Sequence, residues 1–426
     1  MLAVDTFTVM AAKDLPTARY SAERNTSLPL AGTLVLEFGH TVMGPTCGLV
    51  LADLGADVVK LEPPGDGDRT RRLPGFGAGF FAAYNRNKKS VAVDAKAPDG
   101  VEVLRRLIAR ADVVLENFGP GTMQRLGLGP KESLALNPRV VYCELKGFLS
   151  GPYQDRPALD EVVQMMGGLA YMTGPRGRPL RAGASVVDIM GGTYGAVAIL
   201  AALHERTRTG RGQVVRSSLF ESVAFLMAQH IAYGAIAREE VPPMPERVSA
   251  WSIYDVFVCA DQVQLFIGIT SDPQWTAFCQ VFGASELAGD PRLATNEGRA
   301  SERSWLLPRV ASEIARYDHE TVIARCASAG ISYAPIRHPE DLLSDPQLVH
   351  GGHLLPTALP TGDEVPLPGL PMQLAGQDLP LRLQPPSVGE HTAHILAQIG
   401  YDSAAIADLA ERQIVTLAPE STRTKG

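Results

Sequence analysis

Cysteine is scarce in this 426-residue chain and nowhere paired: Cys47, Cys143, Cys259, Cys279 and Cys326 stand alone, with no C-x-x-C spacing. An odd number of scattered thiols argues against a disulfide scaffold or a zinc ribbon and predicts a reducing compartment and no metal site. Long apolar runs are missing as well. None approaches the roughly 20 residues that a bilayer span requires, and the first residues lack the grading of a signal peptide. A soluble cytoplasmic protein is the expectation. Basic excess is absent, since the formal net charge is −7, which argues against a general nucleic-acid surface. No internal repeat or low-complexity tract interrupts the chain. What is present is globular in composition, 45% hydrophobic and 20% charged. The chain is too long for one ordinary core, so two domains are predicted.

Residues 1–28 have weak periodicity and read as an N-terminal arm without assigned function. From Gly32 short β-rich runs alternate with helical ones. The patterns predict strands at Leu34–Phe38, Asp57–Glu62, Ser90–Asp94, Asp112–Asn117 and Val140–Leu145, with helices at Thr46–Leu54 and Gly100–Arg110. Such alternation means parallel βαβ units, so a Rossmann-like, doubly wound α/β domain is expected. Ligands of these sheets bind where loops leave the carboxyl ends of strands. Here those loops are Gly39–Gly44, Pro63–Arg72, Asn117–Gly121 and Lys146–Gln154. Gly75-Phe-Gly77-Ala-Gly79 superficially matches a dinucleotide turn, but no apolar strand precedes it, which argues against a nicotinamide cofactor.

Further on, Gly191–Thr207 predicts a long helix that Gly210 ends, Gln213–Phe220 a strand and Glu221–Ala237 another helix. The large domain's first part thus covers residues 29–237, and the Pro-rich segment 238–250 reads as a linker. Ile253–Cys259 and Gln264–Ile269 predict a hairpin. With helices at Gln274–Phe282, Glu302–Arg316 and Glu320–Ala329 they make a small α+β domain over 251–345. Residues 346–426 are expected to return to the large domain, first through Leu354–Pro386, which lacks strong periodicity, and then through helices from Glu390.

The most informative stretch is residues 157–192. Asp160 opens a short apolar helical run, followed by Gln164, the pair Gly167-Gly168, Met172-Thr173-Gly174-Pro175, the arginines Arg176, Arg178 and Arg181, and Asp188. Asp160 has two readings on its own residues: an N-cap of the helix it opens, or a reactive carboxylate. Asp188, between strand and long helix, reads more simply as an N-cap. The glycine pair would let another backbone approach closely.

The wording of that stretch resembles the central segment of the family III coenzyme A transferases, the CaiB/BaiF or carnitine and formyl-CoA transferase superfamily. The likeness continues in Glu37-Phe38-Gly39-His40-Thr41-Val42-Met43-Gly44-Pro45, Gly55–Glu62, Asn85–Ser90, Glu116–Gly121, Asn137-Pro138-Arg139, Lys146-Gly147-Phe148, Arg208–Gln213 and Gly389-Glu390-His391-Thr392. It spans Gly32 to Ile414.

The resemblance implies a large domain built from both chain ends with the small domain inserted, and two subunits interlocked as a homodimer. It implies acyl-CoA and a small carboxylic acid as substrates, with CoA as part of the substrate and no resident cofactor, metal, nucleic acid or membrane. It places Thr41, Val42 and Met43 against CoA, Val93 and Lys96 at the nucleotide end, Asn117 and Phe118 along the channel, and Arg125 and Lys146 as charges. Arg71 and Lys88 are further candidates. Asp160 would attack the donor thioester, pass through a mixed anhydride to an aspartyl-CoA thioester, and reverse the steps with the acceptor. Val42 replaces the glutamine of formyl-CoA transferase, Pro63 replaces a cation, and that enzyme's glycine-rich loop has no counterpart, so a one-carbon acyl group is not expected. The Arg176, Arg178 and Arg181 cluster suggests a distal carboxylate, hence succinyl-CoA as donor and a C4 or C5 dicarboxylate as acceptor. Two alternatives stay open at this level. An α-methylacyl-CoA racemase would need a second base, yet no histidine occurs between His40 and His204, leaving Arg86, Glu161 or His40. A non-catalytic acyl-CoA-binding protein is the other.

Overall fold

The structure, a computed structural model, describes residues 28–246, 249–359 and 361–418; the expected N-terminal arm lies outside them except for Leu28. The chain divides into two compact units, one of residues up to Pro245 together with those from Pro346, the other Glu246–Asp345.

The larger unit is built on strands β1 (Leu34–Phe38), β2 (Asp57–Glu62), β3 (Lys88–Val93), β4 (Val113–Glu116), β5 (Val141–Lys146), β6 (Val214–Ser218) and β7 (Val415–Thr416). They form one sheet in the order β7-β3-β2-β1-β4-β5-β6. The first six strands pair in parallel, and β7 joins β3 antiparallel. Alternate side chains enter two cores: Val35, Val113, Leu115, Val141 and Cys143 on one face, Leu36, Val114 and Tyr142 on the other. Both faces are therefore covered, as a parallel sheet requires. Strand order reverses between β1 and β4, so the loops after these two strands flank the crevice where such sheets bind ligands.

Helix α1 (Met43–Asp53) follows β1 and is buried throughout. Helices α2 (Asp160–Met166) and α3 (Val186–Thr209) follow β5. The long helix starts earlier than its apolar pattern predicts, because its first turn is closed by a side chain from α2. It ends as expected at Gly210, whose φ of 69° is left-handed. By length and apolar character α3 would suffice to cross a bilayer, yet its glycines press it into the core. A Cβ on Gly192 would stand 2.5 Å from the Met43 carbonyl oxygen, and one on Gly195 2.5 Å from Leu145 Cδ2. The helix predicted at Glu221–Ala237 is two, α4 (Leu219–Leu226) and α5 (Ala228–Ala237), bent by 47°.

The glycine pair after α2 also divides its work differently from expectation. A Cβ on Gly167 would collide with the Val223 side chain, whereas Gly168 has φ 85° and nothing near its missing Cβ. One glycine admits a side chain and the other makes a turn. The segment Leu354–Pro386, expected to be irregular, contains a hairpin of Leu354–Ala358 and Glu364–Pro368; prolines hid it, and a two-stranded ribbon tolerates them at its edges. In the smaller unit, Ile253–Val258, Gln264–Ile269 and Ser332–Pro335 form an antiparallel sheet over a core including Trp275, Phe278 and Phe282.

Candidate active site

Asp160 is the first helical residue of α2, with extended Leu159 at the capping position. It does not cap its own helix. Its Oδ2 instead accepts from the backbone N–H groups of Val187 at 3.0 Å and Asp188 at 3.1 Å, both in the first turn of α3. These are donors that no partner within α3 can satisfy. Oδ1 accepts from Gln164 Nε2 at 2.6 Å, one turn along α2. Gln164 in turn accepts the Ala182 N–H through Oε1 at 2.9 Å, which fixes its amide. Arg181 Nη2 stands 3.6 Å from Oδ1, while its Nη1 reaches Glu161 at 3.7 Å. The Asp160 residue is 7% exposed, so this carboxylate is nearly dry, fully partnered and at the positive end of a 24-residue helix.

Asp188 corrects its own reading. It lies inside the first turn of α3, and Ser185 occupies the capping position without a side-chain bond. Burial, reinforced by the Asp160 charge and opposed by Arg181, pushes the Asp188 carboxyl up to about 7. Burial and then the Asp188 charge raise the Tyr84 hydroxyl, which puts Tyr84 in the same neighbourhood.

The loop between β1 and α1 is held from below. Thr41 takes φ 64°, a strained value for a β-branched residue. Lys60 Nζ donates to the Gly39 carbonyl at 2.7 Å and Lys88 Nζ to the Pro45 carbonyl at 2.9 Å, so both ends of the loop are tied. The two lysines, each fully buried, converge on Glu37 at 3.4 and 2.7 Å, and Lys60 also pairs with Asp68 at 2.8 Å. Burial pushes Lys88 down to about 8 despite Glu37. For Lys60, burial works downward too, but the charges of Glu37 and Asp68 prevail and raise it. Above the loop, the Asn117 side chain bonds both the N–H and the carbonyl of His40 at 2.9 Å, and the His40 ring stacks on Phe118 at 5.6 Å. Because Gly192 lets α3 touch the Met43 backbone, the helix that anchors Asp160 leans directly on this loop.

A cavity of about 1000 Å³ opens at the carboxyl ends of β1, β2 and β3, lined by Phe38, Pro63, Val93, Lys96, Phe118 and, from the C-terminal segment, Leu417, among others. Its size and largely apolar walls, with Lys96 at one side, suit a large ligand that combines an apolar body with a charged end.

The sequence-derived candidates separate against this geometry. Val93, Lys96 and Phe118 line the cavity. Asn117 and Thr41 belong to the adjoining loop pair, and exposed Arg125 bonds at 2.9 Å to Thr122, which lines the cavity. Lys146 pairs with Glu116 and donates to the Phe118 carbonyl at 2.9 Å, so it supports the channel wall. Val42 and Met43 are buried. Lys88 is not available to a ligand: it is enclosed under α1 and spent on Glu37 and Pro45. Arg71 is committed too, gripping Glu62 at 2.7 and 2.8 Å and the Pro386 carbonyl at 2.9 Å while stacking on Phe81 at 3.6 Å. The arginine cluster does not converge, since exposed Arg176 pairs with Glu240 at 3.0 Å, Arg178 is exposed, and only Arg181 meets Asp160. Of the residues considered as a second base, Arg86 is locked on Asp53 at 2.6 Å, Glu161 faces Arg181 and His40 stacks on Phe118. Gly75–Gly79 is a 3-10 turn with no strand before it, as its context implied.

Gln164 and the buried Glu37, Lys60 and Glu62 stand in the sequence motifs without an assigned role, and buried Asp68 stands in none. Signals existed for all but Asp68: a polar i,i+4 pair on α2, and, at Glu37, Lys60 and Glu62, charges inside strands that should be continuously apolar.

The family model for CoA-transferase family III matches residues 30–392. The chain belongs to that family. Among curated family III relatives, a succinate–glutarate CoA-transferase of Agrobacterium fabrum is 34% identical over 88% of this chain and 96% of its own length. A human succinyl-CoA:glutarate CoA-transferase is 30% identical over 95% and 93%, and a succinyl-CoA–D-citramalate CoA-transferase of Chloroflexus aurantiacus 33% over 87% and 94%. Among solved structures, a CaiB/BaiF family protein from Brucella suis superposes with a TM-score of 0.77 at 33% identity, covering 87% of this chain and 99% of that one. This family III chain is thus a CoA-transferase by descent and by fold.

Proposed function

We propose that the protein moves CoA from succinyl-CoA to a C4 or C5 dicarboxylate, with Asp160 as the nucleophile. The observation that carries this reading is the Asp160 carboxylate seated on the free N–H groups of α3 beside the β1–α1 loop. That seat stabilises the negative charge that builds up on Oδ2 when the aspartyl carbonyl is attacked. Covalent catalysis then divides a thioester exchange into easier steps without ATP or metal. The CoA ester occupies the cavity, with Lys96 near its charged end and Phe118 and Asn117 along the pantetheine. The names of the relatives above, which pair succinyl-CoA with glutarate or citramalate, support the dicarboxylate class. Arg181 is the one arginine of its cluster placed to meet a distal carboxylate.

The fold also supports an interlocked homodimer with the small unit inserted in the large one. Among residues of α3 to α5, Tyr194, Val197, Phe225, Ile231 and Ile236 are exposed, an apolar surface that a second copy would cover. The test is a panel of CoA acceptors with succinyl-CoA as donor. Dicarboxylates of four or five carbons are expected to exceed neutral or aromatic monoacids at least about tenfold, the scale of one lost charged contact. Asp160→Asn should lower kcat by about three orders of magnitude, as loss of a covalent nucleophile does, while the fold survives. A preference for monoacids would sink the substrate, and an active Asp160→Asn would sink the nucleophile.

A further inference from the structure

The two oxygens of Asp160 are held by different kinds of donor. Oδ2 accepts two backbone N–H groups at the start of α3, and no side-chain motion can withdraw them. Oδ1 accepts one side-chain amide and has the Arg181 guanidinium beyond hydrogen-bond reach, at 3.6 Å. We infer that these oxygens keep separate roles through every turnover: Oδ1 makes and breaks each bond to substrate, Oδ2 never leaves the enzyme, and Gln164 is the positioning residue that prevents their interchange. This rests on the reading of Asp160 as the nucleophile.

The steps balance. A lone pair on Oδ1 attacks the acyl carbon of the donor, the C–S bond breaks, and CoA thiolate leaves with the electron pair. The thiolate adds to Asp160 Cγ, and the carbonyl electrons move onto Oδ2, which already faces two N–H donors. Collapse breaks Cγ–Oδ1, so Oδ1 departs in the donor acid. An oxygen of the acceptor carboxylate then adds to Cγ, again charging Oδ2, and expels the thiolate. When the thiolate attacks the acceptor acyl carbon, the acyl C–O bond breaks and that oxygen stays on Asp160 in the Oδ1 position. Each turnover therefore replaces one enzyme oxygen by one from the acceptor. A stationary pair of donors at Oδ2 serves both tetrahedral intermediates at Cγ, and movement there would cost it.

Interchange requires the carboxylate to turn half a revolution. That breaks the bonds from Gln164, Val187 and Asp188 together in a buried site, where charge-assisted hydrogen bonds are individually strong. Gln164 is itself fully buried, and because its Oε1 is bound to the Ala182 N–H, its NH₂ group faces Oδ1.

The experiment uses the full-length enzyme with succinyl-CoA and succinate carrying heavy oxygen in both carboxylates. After counted turnovers, the peptide containing Asp160 is weighed. The expected result is one heavy oxygen after the first turnover and still one after many. Two heavy oxygens, accumulating with turnover, would overturn the inference while leaving Asp160 as nucleophile. No heavy oxygen in an active enzyme would remove the nucleophile reading and this inference with it. Gln164→Met, and Gln164→Glu, which keeps an acceptor for Ala182 but no donor for Oδ1, should still take up label yet progress to two heavy oxygens. A folded Gln164 variant that stays at one would show that the backbone donors alone hold the carboxylate and would strike Gln164 from the account.

Discussion

Asp160 and Asp188 carry the same side chain on the first turns of neighbouring helices, and the fold treats them differently. Asp160 has donors on both oxygens. Asp188 has a buried carboxyl beside another negative charge, with Arg181 in partial compensation, so its pKa rises to about 7. Raised above the roughly 3.9 of an unfolded aspartate, it favours folding fully only below that value, and the contribution is lost as pH climbs through about 7. Asp188→Asn removes the charge permanently. The variant should be more stable than the parent by about 1–2 kcal/mol above pH 7, with the gap closing toward pH 4. Urea denaturation across that range checks it, and a gap independent of pH would show that Asp188 is not the group responsible. At this scale the sequence revealed Asp160 through its motif but misjudged its surroundings. The donors to Oδ2 come from 27 and 28 residues away, and no local pattern encodes a bond between two helices. Sequence separation likewise explains Lys88, whose partner Glu37 is on another strand.

Elements were easier to read than partners. Strands β1 to β6 and helix α1 announce themselves by alternation and length, because each side of the sheet needs its own apolar set. The hidden elements have physical reasons. The first turn of α3 carries no start signal of its own, because Ser185 at the capping position makes no side-chain bond and the donors are satisfied by Asp160 from another helix, and the α4–α5 bend lies in a continuous apolar run. Contact between α3 and α1 depends on Gly192, where an added Cβ would lie 2.5 Å from the Met43 carbonyl oxygen and 2.9 Å from Thr46 Cβ. Gly192→Ala must therefore push backbone from backbone, at about 1–3 kcal/mol. Because α3 carries the donors to Asp160, kcat should fall with stability. Chemical denaturation and steady-state kinetics on this variant test that coupling, and a destabilised enzyme with unchanged kcat would contradict it.

For the whole molecule, the sequence-level expectation of a doubly wound α/β sheet agrees with the seven-stranded sheet observed, though β7, only two residues long, was too short to leave a pattern. The proposed interlocking of two subunits lies beyond any periodicity, since the same strands and helices would form in either arrangement. The exposed side chains of Phe225 and Ile236, 64% and 83% accessible, offer a test. Phe225→Asp with Ile236→Asp leaves the folded subunit's core untouched but places charges where the proposed second copy would pack; because interlocked chains must assemble as they fold, sedimentation velocity on freshly expressed protein should show the dimer species lost to monomer or aggregate. Unchanged sedimentation would contradict the proposed interface. The central claim is that CoA becomes covalently attached to Asp160 during transfer. It is tested most directly by mass measurement of the intact chain after mixing with succinyl-CoA in the absence of an acceptor. The account predicts a gain equal to CoA less one water, located on the peptide bearing Asp160, discharged by added dicarboxylate and absent from Asp160→Asn. An adduct on Glu161 or Asp188, with Asp160→Asn still turning over, would contradict it.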